Sequence, residues 1–73
     1  MRHLLDIKEV IEWIRRQRIR FINARRVARN FKVSSKVAGY TLRRLKELGY
    51  LKVYNRRKGR FIVYKVSDAV FRQ

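Results

Sequence analysis

Seventy-three residues hold one domain with one small core, and an apolar share of 47% belongs to a folded chain rather than to a disordered basic tail. Lys and Arg number 21 against 5 Asp and Glu, a net charge of +16 that repels itself until a nucleic acid, an anionic membrane surface or an acidic protein neutralises it. The lack of cysteine excludes disulfides and thiolate metal sites, the single His3 leaves no ordinary zinc set, and no apolar run approaches the roughly 20 residues of a membrane span.

The spacing of Ile7, Val10, Ile11 and Ile14 predicts a first helix from about Ile7 to Gln17, with Trp13 to one side of the stripe. Asp6 followed by Glu9 resembles a capping box. The acids Asp6, Glu9 and Glu12 come early, and Arg15, Arg16 and Arg18 come late, which complements the helix dipole. With Arg20, these arginines read as a solvated helix end. Arg20-Phe21-Ile22 is short, extended and β-prone. Asn23 is a good N-cap for a second helix, about Ala24 to Phe31, that buries Val27, Ala28 and Phe31. Arg25, Arg26 and Arg29 point outward. Cations in a first turn oppose the dipole, so Arg25 and Arg26 are poorly placed for stability, which favours a phosphate-binding role.

Lys32-Val33-Ser34 reads as a tight turn, and Ser34 or Ser35 caps a third helix that Gly49 ends. Ala38, Leu42, Leu45 and Leu48 form its apolar back, while Lys36, Tyr40 and Arg43 form a basic, aromatic front suited to a polyanion. Leu51-Lys52-Val53-Tyr54 alternates in polarity, and Phe61 to Val66 is strongly β-prone. The two make a hairpin whose turn, Asn55-Arg56-Arg57-Lys58-Gly59-Arg60, carries four positive charges. Ser67-Asp68 caps a short final helix, Ala69 to Arg72. The predicted core is Ile7, Ile11, Ile14, Val27, Ala28, Phe31, Leu42, Leu45, Leu48, Leu51, Val53 and Tyr64. With no repeat, linker or low-complexity stretch, residues 1–73 read as a single domain.

The order helix, short strand, helix, helix, strand, hairpin turn, strand resembles the winged helix-turn-helix DNA-binding family. The matching residues are Ala24, Val27 and Ala28, then Val33-Ser34, then Val37, Leu42 and Leu45, then Gly49-Tyr50-Leu51. Gly59-Arg60 through Tyr64 and Val66 is similar to the family's return strand. The match covers roughly Ile7 to Val66. Its letters are common, so its specificity lies in the ordered spacing. The resemblance implies a small α+β fold, a three-helix core with a β-hairpin wing, and a third helix whose N-terminal half reads base edges in the major groove. It implies a DNA-binding set of Arg25, Arg26, Ser34, Ser35, Lys36, Gly39, Tyr40, Arg43 and Arg44, with Arg56, Arg57, Lys58 and Arg60 on the wing.

Each type has a physical use. Ser34 and Ser35 can bond a phosphate at a helix N-terminus. Lys36 and Arg43 reach phosphate or guanine, and Tyr40 packs on a base edge or bonds a phosphate. Gly39, about 1 kcal/mol worse than Ala inside a helix, either lets a sugar-phosphate backbone approach or packs tightly under helix 2. The wing cations lie on phosphates or in a narrow minor groove. Family members dimerise through terminal helices, which makes Trp13 and Phe71 candidate interface residues, with core packing as the alternative. By the family pattern, Tyr64 rather than Phe61 belongs to the core.

The leading expectation is a cytoplasmic transcription regulator that binds double-stranded DNA sequence-selectively, with no cofactor and no membrane partner. The start of the chain has no signal-peptide pattern, and a cysteine-free, ion-rich small domain is compatible with a hot-adapted source. One alternative partner is structured RNA. The winged-helix ribosomal protein of the archaeal and eukaryotic small subunit has a similar core, and the extreme charge favours it, although its Lys-rich tail is missing here. Non-specific architectural duplex binding is the other alternative. The five acids are dispersed, and the chain has no phosphate-cradling Gly loop and no nucleophile–base pair, so no enzyme is expected.

Overall fold

A computed structural model describes residues 5–56 and 62–72. Its elements are α1 (Ile7–Gln17), β1 (Phe21–Ile22), α2 (Ala24–Phe31), α3 (Ser35–Glu47), β2 (Leu51–Arg56), β3 (Ile62–Val66) and α4 (Asp68–Phe71). The fold is α+β. The three strands form one antiparallel sheet in the order β1-β3-β2, so the last strand is central.

Local chemistry explains where each helix starts. Asn23 Oδ1 accepts the Arg26 N–H at 3.0 Å, and Ser34 Oγ accepts the Val37 N–H at 3.1 Å. Each satisfies a donor that a helix start leaves open. Of the two serines, Ser34 is therefore the cap of α3. Asp6 accepts from Lys8, two residues on, in place of the expected box with Glu9. Ser67 caps α4, which begins at Asp68, one residue earlier than expected.

The helix ends follow one plan. At α3, the Tyr50 N–H reaches the Leu45 carbonyl and the Gly49 N–H reaches that of Lys46, both at 3.0 Å, with Gly49 at φ +91°. This is the Schellman arrangement. Both bonds recur at α1, where Ile19 reaches Ile14 and Arg18 reaches Arg15, while at α2 the outer bond alone recurs, from Val33 to the Ala28 carbonyl that also takes the Lys32 N–H. The left-handed positions there hold Arg18 and Lys32, both at φ 54°, which an L side chain adopts at a penalty of about 1–2 kcal/mol. The residue after each turn is apolar and packs back: Ile19 belongs to the core, and Val33 and Tyr50 pack against it. That burial offsets the backbone penalty.

The core joins Val10, Trp13 and Ile14 of α1 to Val27, Ala38, Leu42 and Leu45 of α2 and α3. Ile19, Ile22, Leu51, Tyr64, Val66 and Val70 complete it. Among the described residues, Thr41 is the buried polar side chain, and its hydroxyl donates to the Val37 carbonyl at 3.0 Å.

Several expectations need correction. The buried face of α1 centres on Val10, Trp13 and Ile14, leaving Ile7 and Ile11 half-buried. Trp13 turns the face toward itself because its ring meets the edge of Phe31, with centroids 5.2 Å apart and planes at 82°. Trp13 thus packs within the core of the monomer, the alternative to an interface role. Phe71 is half-buried, with the Arg20 guanidinium 5.0 Å from its ring centre. Leu48 is 51% exposed, because the turn at Gly49 sends Tyr50 back over the core in its place. Val53 is also exposed. It lies on an edge strand beside a register shift, and Tyr64 opposite it fills that level of the core. Finally, Asn55 and Arg56 are strand rather than turn, paired with Val63 and Ile62. The turn residues Arg57, Lys58, Gly59 and Arg60, together with Phe61 and the N-terminal His3, lie outside the described residues, as does the Arg56 side chain.

Candidate nucleic-acid interface

The thirteen residues of α3 are long enough for two faces to separate. Ala38, Leu42 and Leu45 are fully buried, so the opposite face is held rigidly outward. That face carries Lys36, Tyr40, Arg43 and Arg44, all exposed, with Tyr40 at 60%. Glu47 falls on the same stripe one turn further on and is the first negative charge at the C-terminal end of that face. Ser35, Lys36, Gly39, Tyr40 and Arg43 line an open concavity of about 470 Å³. Its other wall is the start of α2, Asn23 and Ala24, with Ile62 and Tyr64 of β3.

Gly39 does not pack under α2. A Cβ built on it meets nothing within 4 Å. The missing side chain leaves open space in the concavity beside Lys36 and Tyr40. Gly39→Ala is therefore expected to raise stability by up to about 1 kcal/mol from helix propensity alone, read from urea unfolding. The same variant is expected to bind duplex DNA more weakly, because its methyl group stands where a backbone would approach. A loss of stability would mean that the space around Gly39 is already filled.

The expected set divides in two. Arg25 and Arg26, on the first turn of α2, do not line the α3 concavity. With Arg29 they line a second one of about 510 Å³, walled by Phe21, Ile22, Asn23 and Val63. Asn23 lies on the ridge between the two. Ser34 caps α3, and the hairpin cations fall outside the described residues.

The charge is unevenly spread along the chain. No acidic residue occurs between Glu12 and Glu47, so all of α2 and nearly all of α3 are free of negative charge. Among the described residues, ion pairs lie elsewhere: Arg15 with Glu12 on α1 at 3.4 Å, and Arg20 with Asp68 at the start of α4 at 3.8 Å. Both lie at the surface, with Arg15 half-buried, and contribute little to stability. The acid-free span was there to be read in the sequence. What sequence reasoning missed is the aromatic pair Phe21 and Tyr54, whose ring centroids are 4.8 Å apart on the sheet. A two-residue strand has no periodicity to announce an outward Phe21.

Among the described residues, no helix is long and apolar enough to cross a membrane, and no group of three or more His, Cys, Asp or Glu could hold a metal ion. Compared with known proteins, the chain matches no protein family, no curated protein and no solved structure.

Proposed function

We propose that the chain is a small winged helix-turn-helix domain that binds double-stranded DNA sequence-selectively and acts as a transcription regulator rather than an enzyme. In this reading α3 lies in the major groove and the β2–β3 hairpin rests on the backbone or in the minor groove. One observation carries the reading. Lys36, Tyr40 and Arg43 stand outward beside the open space at Gly39, on a helix whose back is locked by three fully buried side chains. Rigidity is what base readout needs, because a hydrogen-bonding side chain discriminates bases only if its own position is set. The order of elements from α1 to β3 supports the same assignment.

Selection of binding sites from a random duplex pool, run with the wild type and with Arg43→Ala, tests it. Arg43→Ala is expected to lose about 1–3 kcal/mol on the preferred site and much less on random DNA. Identical preferences in the two pools, or none in either, would sink the sequence-selective reading. Tighter binding to structured RNA than to any duplex in the same assay would favour an RNA-bound structural role, to which the net charge of +16 also suits the chain.

A further inference from the structure

The two faces of the sheet differ in character. Ile22, Leu51, Tyr64 and Val66 turn into the core. The other face carries Phe21, Lys52, Tyr54 and Lys65, all exposed. Pairing sets Phe21 opposite Lys65 and Lys65 opposite Lys52, so one row across the three strands reads Phe21, Lys65, Lys52. Tyr54 stands two residues along β2 from Lys52. Its ring meets that of Phe21 at 4.8 Å with the planes inclined by 59°. The contact leaves Phe21 44% and Tyr54 62% exposed.

Two features of this face weaken the isolated fold. Like charges directly opposite on paired strands repel, and Lys52 and Lys65 are such a pair. Asp68 shares a concavity with both lysines, but its carboxylate is drawn to Arg20 at 3.8 Å. Two large rings left in water also forgo the stabilisation that burial would bring. A ligand with negative charge and flat aromatic surfaces relieves both. Beyond Phe21, the same surface runs into the concavity lined by Arg25, Arg26 and Arg29.

We propose that this outer sheet face binds an unpaired nucleic-acid strand. Its bases stack on Phe21 and Tyr54, and its phosphates meet Lys52 and Lys65 on one side and the α2 arginines on the other. Base–aromatic stacking within a cationic groove is how single strands are held without a sequence code. A duplex does not suit the site, because its base faces are already stacked on each other. A second copy does not suit it either, since it would set the same lysines against each other at +16 per chain. The face is separate from the α3 concavity, so the assignment does not rest on the duplex reading.

Anisotropy titration of labelled oligothymidylate and oligouridylate tests the proposal, with circular dichroism confirming the fold of each variant. The wild type is expected to bind at low salt. Tyr54→Ala should weaken binding roughly 5- to 150-fold, the loss of one stacked base, while Tyr54→Phe keeps the affinity. Tyr54→Trp should bind with its fluorescence quenched by the stacked base. Tyr40→Ala should leave single-strand affinity unchanged, and Tyr54→Ala should leave duplex affinity unchanged. Dependence on Tyr54 with either oligomer supports the assignment, and the difference between the two reports whether the 2′-hydroxyl is sensed. Failure of the wild type to bind either strand overturns it, as does equal affinity of Tyr54→Ala. A parallel loss of duplex affinity in Tyr54→Ala overturns it in favour of a duplex contact, and a dimer in sedimentation that Tyr54→Ala dissolves overturns it in favour of a second copy. Failure of the duplex reading would show at Arg43 on duplex DNA, and failure here at Tyr54 on single strands.

Discussion

Leu45→Ala is expected to destabilise the domain by about 2–5 kcal/mol, the loss of a buried side chain plus the cavity it leaves. Leu45 is fully buried where α3 meets the sheet, and its carbonyl accepts the Tyr50 N–H that ends the helix. Small domains hold only a few kcal/mol of net stability, so the variant should melt roughly 10–40 °C lower or fail to fold at 25 °C. Leu48→Ala, three residues on and half exposed, should change stability by only about 0.5 kcal/mol. The pair is a sensitive test of register. Thermal and urea unfolding that rank the two variants equally would show that α3 presents a different face to the core.

Binding to duplex DNA is expected to depend steeply on salt. If cations of α2, α3 and the hairpin neutralise on the order of 6 phosphates, log K against log salt falls with a slope of about −5, and affinity drops about 10³-fold between roughly 50 and 200 mM salt. Replacing Arg56, Arg57 or Lys58 should weaken binding to all sequences alike and flatten the slope by about one for each phosphate no longer neutralised. This separates the hairpin from Arg43, whose replacement should act mainly on the preferred site. A slope near zero with both DNA and RNA would remove the nucleic-acid reading altogether. The acid-free stretch between Glu12 and Glu47 is the physical reason to expect the steep slope, because nothing on α2 or the front of α3 before Glu47 repels a phosphate.

The local structure was legible wherever the signal was local. Asn23 caps the helix it was expected to cap, and one of the two expected serines, Ser34, caps α3, since a side chain that bonds a backbone N–H three residues on needs no distant partner. Gly49 was legible as a helix end for the same reason. The comparable turns at Arg18 and Lys32 were not, because nothing in an Arg or Lys marks a left-handed backbone. Those turns hold because the next residue, Ile19 or Val33, finds apolar neighbours contributed by other elements.

By itself, the sequence determined the order of elements, the apolar back and cationic front of α3, and the net positive charge. All of these are properties of spacing or of composition. Only the tertiary structure decided how the surface residues are grouped. It drew Trp13 inward onto Phe31 and turned Leu48 out to water. It set Arg25 and Arg26 beside Phe21 and Val63 rather than beside Tyr40. It also brought Phe21 and Tyr54 together across the central strand, ring against ring. The reason is that strand pairing and helix docking join residues far apart in the chain, and no periodicity within a single element records which distant neighbour it will meet.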